Sequence, residues 1–205
     1  MIKPVIGVLA LQGAVEPHKP HIEAAGGEFR AVKTPEQFEQ VDAFILPGGE
    51  STTMLKLIDA FGLWEPLQKQ FAQKPVWGIC AGSILIAEKV LNPSQKSFGL
   101  LPIIVERNAY GRQLDSRHGE VNGYPVSFIR APVILPSLPP RERGGSEARG
   151  GDLEILATHE GTPVWVRKGP YMATTFHAEL TLDFPSPMHR ECVTLAREKT
   201  KNKVA

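Results

Sequence analysis

Apolar and polar positions along the chain follow two alternating rhythms. Short apolar runs rich in Val and Ile are separated by longer amphipathic stretches, the pattern of an α/β fold with a mainly parallel sheet. A first strand is predicted over 4–11, broken at Gly13, then a helix over 18–25 that Gly26-Gly27 ends. Pro17 and Pro20 crowd the start of that helix. A second strand fits 28–32, and Thr34-Pro35-Glu36-Gln37 opens a short helix. The third strand, 41–46, runs into Pro47-Gly48-Gly49-Glu50-Ser51-Thr52-Thr53, a glycine turn whose Ser and Thr residues suit an N-cap for a helix reaching Phe61. A helix over 63–73, a strand over 75–79 and a helix over 82–91 follow.

The second half has a different texture. Segments 103–105, 126–130, 154–157 and 163–166 are short strands between turns and predict an antiparallel portion of the sheet. One more strand fits 172–176, and a helix with an alternating charged face covers 186–199. Between these, residues 136–151 hold Pro, Gly and charge with almost nothing apolar, so a flexible surface loop is expected there. No internal repeat is present.

Composition narrows the field. A chain of 205 residues suits one well-buried core better than two full domains. The 23 basic residues nearly balance the 22 acidic ones, so nothing points to nucleic acid or an anionic membrane as partner. The first apolar run is too short to span a bilayer and does not resemble a signal peptide. The two cysteines, Cys80 and Cys192, stand in unlike settings, which argues for a reduced, cytoplasmic chain without a disulfide framework.

Chemistry concentrates in three places. In Val76-Trp77-Gly78-Ile79-Cys80-Ala81-Gly82 an apolar strand ends at a cysteine between two glycines, and a helix begins at once. This is the context of a nucleophile elbow with Cys in place of Ser. The helix N-terminus favours a thiolate, and the Ala81 amide would face a developing oxyanion. The same stretch also suits a buried structural cysteine in a βα turn. In His177-Ala178-Glu179, residues i and i+2 of an extended chain point the same way, so the carboxylate can fix the ring's tautomer and free its other nitrogen as a base. That pair lies 97 residues after Cys80, and alone such a pair is more often a surface strand end. In Pro47-Gly48-Gly49-Glu50-Ser51, glycines after a strand turn N–H groups toward a ligand, and Gly49 would complete an oxyanion hole with Ala81. A phosphate loop or a plain βα turn is the other reading, though no Lys stands in a P-loop position.

Taken together, these blocks resemble the triad-type glutamine amidotransferases. The likeness narrows through residues 7–13, 46–53, 105–113 and 128–132 to the glutaminase subunits of pyridoxal 5'-phosphate synthase, and it runs from residue 5 to about 183. That resemblance implies a single three-layer α/β domain over 1–205, flavodoxin-like, with a mixed, mainly parallel sheet and helices on both faces. It implies that Cys80 attacks the glutamine amide, that His177 serves as base and then acid, and that Glu179 orients it. Gly49, Glu50, Ser51, Arg107, Ile129 and Arg130 match the family's glutamine-binding positions. No cofactor or metal is implied. The partner implied is a synthase subunit that takes up the ammonia in a hetero-oligomer.

The chain departs from that pattern at Ala178, where proline is usual, and in Glu16-Pro17-His18-Lys19-Pro20-His21, a run that is usually more basic. Residues 136–151 are also longer than expected. Cys192 is read as structural and Trp77 as core packing. His18 and His21 stand at a metal-binding spacing without a third ligand and are read as surface imidazoles. His118, His159 and His189 have no partner that the sequence identifies. A cysteine peptidase or related hydrolase, and a non-catalytic module, are the competing functions.

Overall fold

The computed structural model describes residues 3–107, 117–136 and 153–204. In chain order the first half contains β1 (Val5–Leu9), α1 (His18–Ala24), β2 (Glu28–Val32), α2 (Pro35–Glu39), β3 (Ala43–Leu46), α3 (Ser51–Ala60), α4 (Trp64–Phe71), β4 (Val76–Ile79) and α5 (Ala81–Ile86). The second half contains β5 (Ala87–Leu91), β6 (Leu101–Glu106), β7 (Arg117–Val121), β8 (Tyr124–Phe128), β9 (Val133–Pro136), β10 (Glu154–His159), β11 (Thr162–Lys168), β12 (Tyr171–Thr174) and α6 (Pro187–Val204).

Seven strands form the main sheet in the order β10-β11-β12-β4-β3-β1-β2. The five from β12 to β2 run parallel, and β11 and β10 add an antiparallel edge. Strand alternation sends side chains to opposite faces, and both faces are covered. Phe44, Leu46 and Val76 join a core with Phe38 of α2, Met54 and Ile58 of α3, Leu67 and Phe71 of α4, and Leu85 of α5. On the other face Ile6, Val8, Ile45, Trp77 and Met172 pack against Ile22 of α1 and Met188, Cys192, Val193 and Ala196 of α6. This is the expected three-layer α/β architecture.

Three expectations need correction. The helix expected over 82–91 stops at Ile86, because Ala87 turns extended (φ −65°, ψ 152°) and 87–91 pairs in parallel with β6. The short strands of the second half do not share one sheet. Only β10 and β11 extend the main sheet antiparallel, while β5-β6-β9 and β7-β8 are separate small sheets. The N-cap of α3 is Glu50, whose carboxylate accepts the Thr53 N–H at 3.2 Å, and not a Ser or Thr. By contrast, the short helix expected at Thr34-Pro35-Glu36-Gln37 forms, and Thr34 and Gln37 close a capping box at its start. The stretch 136–151 lies outside the described residues apart from Pro136, which ends β9. No helix among the described residues is long and apolar enough to cross a membrane.

Candidate active site

The site forms where the C-terminal ends of the central parallel strands meet, the usual ligand position in an open α/β sheet. Strand β4 delivers Cys80 with φ 48° and ψ −102°, a strained conformation for a residue with a β-carbon. The surroundings hold it there. Its N–H donates to the Thr174 carbonyl at 2.8 Å, and its carbonyl accepts the Ser83 N–H and the Ser83 hydroxyl at 3.1 and 2.6 Å. Gly82 is required because a β-carbon there would collide with the Leu46 carbonyl oxygen. The sharp turn at Cys80 thus follows from close packing of β4, β3 and α5.

His177 follows β12 and is pinned from the side. An isolated bridge to Ser127, at the end of β8, exchanges two backbone hydrogen bonds of 2.8 and 3.1 Å. Its Nδ1 lies 2.6 Å from Glu179 Oε1, as the i, i+2 spacing predicts, and the Glu179 side chain is fully buried. Burial opposes charge on the ring, yet the neighbouring Cys80 and the Glu179 carboxylate outweigh it and carry the His177 pKa up to about 10. Burial likewise opposes charge on Glu179, and the His177 contact reverses this and holds its carboxyl below the ordinary range. Gly48 must lack a β-carbon, since one there would strike the His177 ring.

A cavity of ≈ 350 Å³ opens on this pair. Its wall includes Cys80, Ala81 and His177 and all six positions expected to bind glutamine: Gly49, Glu50, Ser51, Arg107, Ile129 and Arg130. Glu179 stands behind His177 and does not line it. Among the described residues neither the Gly49 nor the Ala81 N–H has an acceptor, which leaves both free for a ligand oxygen. The Ile129 carbonyl lies 3.8 Å from the Cys80 sulfur. Arg107 donates to the Thr52 hydroxyl at 3.0 Å and lies 3.6 Å from the Glu50 carboxylate, and Arg130 takes a positive φ of 45° at the rim.

Gln12 has a role that its local sequence barely signals. Its Oε1 accepts the Glu50 N–H at 2.8 Å, tying the end of β1 to the glycine turn beside Cys80. A Gln-Gly pair leaving a strand was its only local signal. The expectation of surface imidazoles at 18 and 21 is overturned. His18 and His21 are completely buried, and so is His189, which the sequence left without a partner. His18 Nδ1 lies 2.8 Å from His189 Nε2, and the Ser186 N–H donates to His21 Nδ1 at 3.1 Å. Trp77 is core packing as expected, edge-on to the His18 and His189 rings. Cys192 is a buried free thiol that burial pushes up to about 12.

Fold and site together define a class: an α/β protein with a strained cysteine at a strand–helix elbow and a buried His–Glu pair over a ligand-sized cavity. The chain belongs to the SNO glutamine amidotransferase family, whose model matches residues 8–190. It is 46% identical over 187 residues to the pyridoxal 5'-phosphate synthase subunit PdxT of Geobacillus sp. (strain WCH70), covering 87% of this chain and 91% of that one. To the PdxT of Solibacter usitatus it is 43% identical, covering 87% and 93%. A crystal structure of a glutamine amidotransferase, 38% identical, superposes with a TM-score of 0.77 over 94% of this chain and 98% of that one. PurLQS from Thermotoga maritima, 16% identical and fully covered, shares the fold with a TM-score of 0.54.

Proposed function

We propose that the chain hydrolyses L-glutamine to L-glutamate and ammonia through Cys80, His177 and Glu179, and hands the ammonia to a synthase subunit that makes pyridoxal 5'-phosphate. The observation that carries the reading is the meeting of a strained, pocket-facing Cys80 with an imidazole held charged by a buried carboxylate. The Cys80 sulfur attacks the side-chain amide carbon, and the oxyanion that forms takes hydrogen bonds from the Gly49 and Ala81 amides. His177 gives its proton to the amide nitrogen, the C–N bond breaks, and ammonia leaves a thioester. Water then attacks the thioester, giving a proton to His177, and the sulfur departs as glutamate forms. Arg107 and Arg130 suit the substrate's α-carboxylate, with Glu50 close enough to receive its α-ammonium. Free ammonia is useful only where it is passed on, which fits the partnership that the PdxT relatives' name states and a cytoplasmic setting.

The test is glutamate release from glutamine, with and without the synthase subunit, for the native chain and Cys80→Ala. The native chain should turn over with the synthase and Cys80→Ala should not. No release by the native complex would sink the proposal.

A further inference from the structure

Behind Glu179, away from the cavity, lies a cluster of polar groups that the reaction leaves unused. His18 and His21 come from α1, and His189 and Ser186 from the start of α6. All four are completely buried, and the His21 and His189 rings stack 4.5 Å apart. Apolar side chains would fill the same space without the desolvation penalty of three imidazoles, so the cluster calls for a reason.

The hydrogen bonds decide where the ring protons sit. His21 Nδ1 accepts the Ser186 N–H, so a neutral His21 carries its proton on Nε2. At His189, Nδ1 meets the Ser186 hydroxyl at 2.6 Å, and Nε2 meets His18 Nδ1 at 2.8 Å. That chain has two polarities. In one, the Ser186 hydroxyl donates to His189, His189 Nε2–H donates to His18 Nδ1, and His18 carries its proton on Nε2. In the other every bond reverses and His18 Nε2 is a bare lone pair.

Glu179 selects between them. Its Oε2 is buried and has no hydrogen-bond partner among the described residues, and the same holds for His18 Nε2 and His21 Nε2. The Glu179 charge also acts on His18, and His18 on Glu179. A lone pair turned toward a carboxylate is repelled, whereas an N–H is attracted. Two N–H groups and one carboxylate oxygen also match the bonding of a single buried water.

We propose that His18 is a positioning residue for Glu179: its Nε2–H, polarised through Ser186 and His189, holds Oε2 through one water shared with His21, and so keeps Oε1 on the His177 ring. This rests on the glutaminase reading of Cys80. The chain of groups then runs from Ser186 at the head of α6 to the sulfur, and α1 and α6 serve the reaction as well as the core.

The test compares His18→Phe, which keeps a ring and removes the donor, with His18→Gln, which returns an N–H near the Nε2 position. In complex with the synthase subunit, His18→Phe should lower kcat for glutamine by about 30-fold with KM little changed, and His18→Gln should recover most of the loss. A His18→Gln as slow as His18→Phe, a loss confined to KM, or no loss would overturn the proposal. Should His18→Phe not fold, ¹⁵N-histidine NMR of the native chain decides. A proton on His18 Nε2 with Nδ1 bare is expected, and the opposite tautomer or a charged ring at neutral pH overturns it. The NMR reading needs no turnover. Native complex that shows this tautomer but releases no glutamate would therefore overturn the glutaminase reading and leave the His18–Glu179 pairing standing.

Discussion

His177 and His18 share one carboxylate and end in opposite states. Each is buried, and burial lowers the pKa of each. His177 touches Glu179 at 2.6 Å and has the Cys80 sulfur on its other side, so it is carried up to about 10. His18 feels the same charge without a direct bond and has His21 and His177 as neighbours, so it falls to about 4. Burial is therefore not what sets the charge of an imidazole here. A direct acceptor is: Glu179 bonds the ring that is charged and makes no hydrogen bond to the ring that is neutral.

Removing the shared carboxylate should break the comparison most severely. In Glu179→Gln the ring loses both its fixed tautomer and its counter-charge. Glutamine hydrolysis in the synthase complex should fall by about 10⁴-fold, and NMR titration should show His177 well below its native value. If His177 still titrates near 10 in that variant, the Cys80 contact alone would explain its charge.

Acid should expose the second largest difference. The folded pKa of His18 lies below the unfolded value of 6.5, so the unfolded chain takes up protons first as pH falls. Stability from a neutral His18 is complete above 6.5 and lost toward about 4, on the order of 3 kcal/mol for this group. His21 and His189, also lowered, act in the same direction. His177 works the opposite way: its contribution is present below 6.5 and disappears as pH rises through about 10. Urea unfolding at pH 7 and 4.5 checks this. The midpoint should drop in acid for the native chain and drop less for His18→Gln, and equal drops would remove His18 from the acid response.

A smaller effect separates scaffold from chemistry at the head of α6. The Ser186 hydroxyl accepts the His189 N–H at 3.2 Å, the N-cap to N3 bond that starts a helix, and also meets the His189 ring. Ser186→Ala should cost about 1 kcal/mol, read as a lower thermal midpoint. Its effect on kcat should be smaller than that of His18→Phe, because Glu179 still selects the His18 tautomer. A larger kcat loss than His18→Phe would move the origin of the polarity from Glu179 to Ser186.

How visible each half of this comparison is in the sequence follows from where its contacts come from. Cys80 and the His177–Glu179 pair are local patterns, an elbow between glycines and an i, i+2 spacing, and buried parallel strands such as β3 read as unbroken apolar runs. The His18 cluster is invisible because its partners lie 171 and 165 residues away, on a helix whose packing only the fold reveals. Two prolines near His18 and His21 also look like surface punctuation. The boundary of α5 was equally hidden: Ile84-Leu85-Ile86-Ala87 suits a helix or a strand, and only pairing with β6 decides for strand at Ala87. Gln12 belongs to the same group, since its acceptor role depends on Glu50 across the sheet.

The smallest expected effect concerns Ala178, between the two residues that make His177 differ from His18. Proline at this position would remove an N–H that has no acceptor among the described residues. It would also restrict the preceding residue to extended backbone, which His177 already adopts in its bridge to Ser127. Ala178→Pro should therefore leave kcat unchanged and raise stability by about 0.5 kcal/mol by restricting the unfolded chain, measured by urea unfolding beside glutamate release. The result sharpens the comparison: if the extended backbone already fixes the His177–Glu179 register, stiffening the residue between them changes nothing in the chemistry. A tenfold loss of kcat would mean that the pair depends on backbone freedom at 178, and that the high His177 pKa has a source beyond the direct Glu179 bond.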